Sequence, residues 1–488
     1  MIHTSWSIPR CGALTAILFT LATLPLLWSV GAGPRLSELA PVPQLSWEPS
    51  RRAGVHARAS LLSNFHFATS IFPLLRQWQL ELRFPPPAKS NLTVHEWGTF
   101  TSIAGPDGVA LDWLPLTGST ELPSFVEHLE NANFKGGLRG TVRMETPVLY
   151  FYSSEETTVS VHATFSKGLI TEWYPHASVP AIDPRRDSVL GQKQTTGAIH
   201  WDSVQIEPAA PANFPGSSSA NHYYAARQTA SAPLTVGSSA GPQHEKFLFY
   251  RGVSAILPPL TATLSPDGTV WLESQLSTVS PGGSARSAGL HAAGLGPHES
   301  QHISEEIPNV ILFERRGSRV GYRILGPLSD QASFALPTLD GSLTSLSSAL
   351  RGMLIGGGLY ADEAQAMLET WESSWFEEGS RVLYLVPRAF VDSVLPLTIT
   401  PAPASLTRVF VGRIELITPA TQHAVASAFA TNDRATLLKY SRFLDSILGV
   451  MRQTASEQST RDLLDTYRDA AFSIVYSAAH SGMSKSRH

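Results

Sequence analysis

Thr141-Val142-Arg143-Met144-Glu145-Thr146-Pro147-Val148-Leu149-Tyr150-Phe151-Tyr152 is the stretch on which the fold turns. It is rich in β-branched and aromatic residues, which suit a pleated, packed surface better than a helix. A few residues on, Thr157 to Phe165 alternates, with Val159, Val161 and Ala163 against Ser160, His162 and Thr164. That period of two belongs to a strand with one buried face. Working outward, Glu245 to Tyr250, Leu260 to Leu264, Thr269 to Leu272 and Asn309 to Phe313 extend the series. Gly105-Pro106-Asp107-Gly108 and Ser265-Pro266-Asp267-Gly268 supply turns, because Pro presets φ and Gly accepts a positive φ. Many short strands punctuated in this way point to an antiparallel β-sandwich over residues 91–330. Ala209 to Gln243 and Ser280 to His298 are rich in Ser, Ala, Gly and Pro and read as long mobile loops.

Beyond about Ser342 the period lengthens. Asp362 to Glu378 carries Ala364, Met367, Leu368, Trp371 and Trp375 at helical spacing. Arg381 to Val386 and Arg408 to Ile417 read as strands. Thr418-Pro419 reads as a helix start, with Thr as N-cap and Pro at the first position. Two further helices follow, one through Leu437, Leu444 and Ile447 and one through Leu463, Tyr467 and Ile474, the latter opened by Ser459 and Asp462. Gly356-Gly357-Gly358 reads as a helix stop, since no Lys-Ser/Thr follows to make a phosphate cradle. The expected class is therefore mixed β and α+β: the sandwich, then an α+β region over residues 331–480 ending in helices.

Ahead of the sandwich, Cys11 to Pro34 is uncharged and apolar, with Arg10 before it. A positive start, an apolar run and the small residues Val30-Gly31-Ala32 make residues 1–32 a signal peptide. The same run is long enough to serve as a membrane anchor. Residues 33–90 are a Pro-rich linker; residues 1–90 together carry a net charge of +5, and this basic stretch could lie near anionic headgroups. Within it Trp78 to Phe84 alternates like an edge strand. The remaining chain carries −9, which argues against nucleic acid as a partner. Cys11 is the one cysteine and stands at the start of the apolar segment, whereas a lipid-bearing cysteine would follow it, so it is misplaced for lipid attachment. A chain cut after Ala32 has no disulfide, thiolate metal site or cysteine nucleophile. These features place the protein outside the cytoplasm of a bacterium, periplasmic, extracellular or membrane-anchored.

Val94-His95-Glu96-Trp97-Gly98-Thr99-Phe100-Thr101-Ser102, Leu169 to Pro175, Thr370 to Gly379 and Arg408 to Pro419 carry a resemblance. They are similar to phrases in an uncharacterised group of exported bacterial proteins, over roughly residues 91–430. The resemblance implies compartment and extent, and no activity.

Several residues carry possible chemistry. His298-Glu299-Ser300-Gln301-His302 has the spacing at which two histidines on one helix face bind zinc and the Glu acts as base. Its setting, between a Gly-rich loop and Pro308, favours a solvated loop. On a strand His95 and Trp97 share a face that could meet a ligand, while Glu96 points away toward an arginine such as Arg143. Glu96 and Glu145 could form an acid–base pair for glycoside cleavage if they converge. Glu172, Lys246, Arg251, Glu314, Arg315 and Arg316 read as salt bridges on a sheet face. Trp371 and Trp375, flanked by acids, could stack on sugars, although helical spacing more often means core. The expected function is an exported cell-envelope protein that binds a polymer or protein partner through its β-sandwich, without a cofactor. The alternative is an extracytoplasmic hydrolase, carboxylate-based or zinc-based.

Overall fold

A computed structural model describes residues 91–484 apart from 117–121, 130–136, 184–186, 188–189, 191–194, 212, 217–220 and 277–305. The apolar segment, the basic linker and the His298–His302 motif, with His298, Glu299 and His302, lie outside the described residues.

In chain order the strands are β1 (Thr93–Ile103), β2 (Glu127–His128), β3 (Val142–Tyr152), β4 (Thr157–Ser166), β5 (Gly168–Tyr174) and β6 (Thr196–Ile206). Then come β7 (Leu234–Ser238), β8 (Gly241–Glu245), β9 (Leu248–Ser254), β10 (Leu260–Leu264) and β11 (Thr269–Ser274). The rest are β12 (Val310–Arg316), β13 (Arg319–Leu325), β14 (Gln331–Ala335), β15 (Gly379–Val386), β16 (Leu397–Thr400) and β17 (Ser405–Leu416). The helices are α1 (Leu343–Gly356), α2 (Ala361–Trp375), α3 (Arg388–Val394), α4 (Pro419–Ala430), α5 (Arg434–Lys439), α6 (Leu444–Thr454) and α7 (Gln458–Ser484).

The strands form three sheets. Nine run in the order β13-β12-β15-β17-β1-β3-β9-β5-β2, five in the order β16-β4-β6-β7-β8, and three in the order β10-β11-β14. The class is mixed β and α+β, with helices closing the chain. One face of the large sheet packs on the five-stranded sheet: Leu149, Phe151 and Phe410 share a core with Val161, Phe165 and Trp201. The other face is covered by α1 and α2, where Trp97, Val148 and Tyr150 meet Leu350, Met367 and Trp375. The C-terminal helices make a third cluster around Ile103 and Trp113. This layering explains the opening stretch. β3 is covered on both faces, so it reads as an almost unbroken apolar run, whereas β4 has one covered face and alternates.

The structure adds three features to the sequence reading. Within the otherwise antiparallel arrangement, β1 and β17 pair parallel, Glu96 facing Arg408 and Thr101 facing Arg413. The boundary placed at residue 330 runs through the nine-stranded sheet, because β12 pairs with β15 and β1 with β17 across it. The change of period there marks a change of element type and leaves one shared sheet. The loop expected over Ala209–Gln243 contains β7, the start of β8 and a 3-10 turn at His222–Arg227. Leu234 and Val236 are buried there, and two inward residues suffice for so short a strand.

Local expectations hold where one residue type decides them. Thr418 caps α4 by accepting the N–H of Thr421, with Pro419 in the first turn. α1 stops at Gly356, and Gly358 takes a φ of 110°. α7 begins at Gln458, one residue before the expected cap at Ser459.

Candidate functional site

β1 lies at the centre of the large sheet and sends His95 and Trp97 to the helical face and Glu96 to the sandwich face. Trp97 is fully buried, its ring 6.2 Å from that of Tyr150, so it meets core and no ligand. His95 Nδ1 lies 2.8 Å from Oε2 of Glu363, a buried carboxylate in the first turn of α2. Glu363 also accepts the Tyr152 hydroxyl at 2.7 Å and the Tyr360 N–H at 2.7 Å. The half-exposed Tyr360 ring covers the imidazole at 4.4 Å. This group ties α2 to the sheet.

Glu96 is fully buried. It accepts Arg408 Nε at 2.5 Å and the Tyr250 hydroxyl at 2.5 Å. Arg408 also donates to Asp392 at 2.8 Å. Burial and the Glu96 charge push the Tyr250 hydroxyl far above the usual phenol range, so it remains a donor. Arg143, expected beside Glu96, is on the opposite face of the sheet, 3.7 Å from Glu145. The partner that sequence reading missed, Arg408, comes from more than 300 positions away through the parallel pairing.

Glu145 anchors a second network. Arg442 donates to it, and Arg143, Arg413 and Arg251 add their charges. Burial opposes its ionisation, yet the four guanidinium groups hold its carboxyl below the ordinary value. Arg413 bonds Glu377 and, at 2.7 Å, Glu415. Arg381 donates to Glu415 at 2.7 Å. Burial works against Glu415 ionising, and Arg381 and Arg413 outweigh it and lower its pKa. Glu96 and Glu145 therefore sit on opposite faces of one sheet, each held by arginine. No glycosidic bond can lie between them, which removes the geometry that paired-carboxylate cleavage requires.

The remaining expected residues are distributed through the structure. Arg316 bonds Glu314 at 3.0 Å and reaches Thr418 at 2.8 Å, while Arg315 donates to the Phe376 carbonyl at 2.8 Å. Burial lowers the pKa of Lys246, against the nearby charges of Asp362 and Glu245. Trp371 and Trp375 are buried and stacked on each other with centroids 6.3 Å apart, so neither is a surface platform for sugars. Trp371 does border a small, partly open cleft, lined also by Thr146, Arg251, Ser374 and His222. Among the described residues no group of three or more His, Cys, Asp or Glu could hold a metal ion. Nor is any helix among them long and apolar enough to cross a membrane.

One exposed aromatic stands apart. Trp271, 48 % exposed, lies at the middle of β11, itself the middle strand of the three-stranded sheet. Its neighbours Val270 and Leu272 are buried, so alternation aims the indole outward. Across the ladder it faces Thr263 on β10 and Ser333 on β14. Thr261, Glu273 and Gln331 make the next row. The signal was in the sequence: a tryptophan between two aliphatics inside a strand, on the polar parity.

No family model matches the chain, and no curated protein matches it. Among solved structures, the Danio rerio Fcho1 Mu homology domain with bound Eps15 peptide is similar at 6 % identity and a TM-score of 0.25. The likeness covers 67 % of this chain and 97 % of that one, and at this level carries no conclusion.

Proposed function

We propose that this chain is an exported cell-envelope protein that binds a polymeric glycan through the outer face of its three-stranded sheet. The observation that carries the reading is Trp271, an indole presented to solvent from the centre of a sheet and fringed by Thr263, Ser333, Thr261 and Gln331. A sugar ring has an apolar face that stacks on an aromatic and an edge of hydroxyls that bond to short polar side chains. The fringe carries one charge, Glu273, which suits a neutral polymer better than an ionic one. A binding role is favoured over carboxylate hydrolysis because Glu96 and Glu145 are separated by the sheet and engaged by arginines.

Export is supported by the Cys11–Pro34 segment and the basic linker behind it, as signal or anchor. The binding reading needs no cofactor, and the zinc alternative rests on His298 and His302. Affinity electrophoresis in gels containing neutral polysaccharides tests the proposal. The native protein should be retarded, and Trp271→Ala should migrate as in the polymer-free gel with its melting temperature unchanged. Equal retardation of Trp271→Ala would sink the assignment to this face, and a protein partner in its place would leave the native chain unretarded.

A further inference from the structure

The cleft beside Trp371 has a wall whose hydrogen-bonding capacity is one-sided. Ser374 Oγ accepts Nη1 of Arg413 at 2.7 Å and Nη1 of Arg442 at 3.4 Å, so its lone pairs are engaged and its proton remains to be donated. Thr146 Oγ1 accepts Nη2 of Arg251 at 3.1 Å and likewise keeps a proton to give. Neither hydroxyl proton has an acceptor among the described residues, and neither does the buried indole N–H of Trp371. A buried donor without an acceptor is destabilising, and a ligand oxygen would recover that loss. No carboxylate lines the cleft among the described residues.

Arg251 is in the wall, and Arg413 and Arg442 stand directly behind Ser374, where Arg413 also bonds Glu377 and Glu415 and Arg442 bonds Glu145. With Arg143 they surround Glu145, whose carboxylate points to that cluster and not into the cleft lining. Thr146 is set at the bulge of β3 with a φ of 49°, a conformation rare for a β-branched residue and typical of functional positions.

We infer that this cleft is a binding site for a small oxyanion, held by Arg251 and by the protons of Thr146, Ser374 and Trp371. Guanidinium and hydroxyl donors in a partly dry site are the chemistry that recognises phosphate or carboxylate oxygens. The site lies apart from the Trp271 face and does not depend on the glycan reading.

Thermal melting of the full chain with inorganic phosphate or sodium acetate, against sodium chloride at matched ionic strength, tests it. One of the two oxyanions should raise the melting temperature saturably above the chloride control, and which one does identifies a phosphate or a carboxylate as the occupant. Arg251→Gln should weaken that binding at least tenfold. If Arg251→Gln fails to fold, Trp371→Phe keeps an aromatic ring, removes the N–H and should weaken binding several-fold. No saturable effect of either anion on the native chain, or unchanged affinity in the folded variants, overturns the inference.

Discussion

Glu96 and Arg408 are buried together, and their energetic meaning is asymmetric. A buried ion pair gains little over a packed apolar pair, but removing one partner strands a charge in a low dielectric. Arg408→Met should therefore destabilise the protein by about 3–5 kcal/mol in urea unfolding, with little effect on glycan retention. A loss of retention without loss of stability would instead give this pair a functional role. Glu145 and Glu415 make a second residue-scale prediction. Both have folded pKa values below the ordinary carboxylate value of 4.5. Their contribution is thus present above about pH 4.5 and is lost as pH falls through the lowered folded values. Unfolding free energy measured from pH 6 to pH 3 should fall, and Glu145→Gln should flatten that fall at a cost in neutral stability. An unchanged slope would show that the arginines do not hold Glu145 ionised.

At the scale of elements, the central strands fit because small residues stand where neighbours cross. Gly412 of β17 faces Tyr384 of β15, and a Cβ there would lie 2.1 Å from the tyrosine ring. Gly412→Ala should push Tyr384 out of its packed position and destabilise by about 1–3 kcal/mol, the usual range for overpacking. Unfolding curves check this, and a neutral substitution would mean that β15 and β17 can separate locally. The element reading was most successful where residue chemistry is local. The Thr418-Pro419 helix start, the stop at Gly356, and the strand β10 at Leu260–Leu264 needed no distant partner to be seen. It was least successful at β7 and β8, where short polar strands are made by neighbours that the local composition does not announce.

For the whole molecule, the continuous sheet predicts a single cooperative unit. β12 before residue 330 needs β15 after it, and β1 needs β17. Chains 91–330 and 331–484 expressed separately should lack protease-resistant cores, each exposing unpaired edges and half of the Trp97–Trp375 cluster. Limited proteolysis with circular dichroism tests this; a stable, resistant 91–330 fragment would restore an independent sandwich domain.

The sequence by itself determined the type and faces of the long strands and helices, though not of the short strands β7 and β8. Alternation sends His95 and Trp97 one way and Glu96 the other, and the double coverage of β3 is visible in its apolar run. These follow from the backbone geometry of neighbouring residues, which is local. Tertiary structure alone decided that Arg408 and not Arg143 neutralises Glu96, and that a sheet separates Glu96 from Glu145. It also gathered Arg251 of β9 with Trp371 and Ser374 of α2 into one wall. Those outcomes depend on which strands pair, and a parallel pairing such as β1 with β17 closes a loop of some 300 residues. Chain entropy makes that closure cost only slowly dependent on length, so nothing in the local pattern marks its partner.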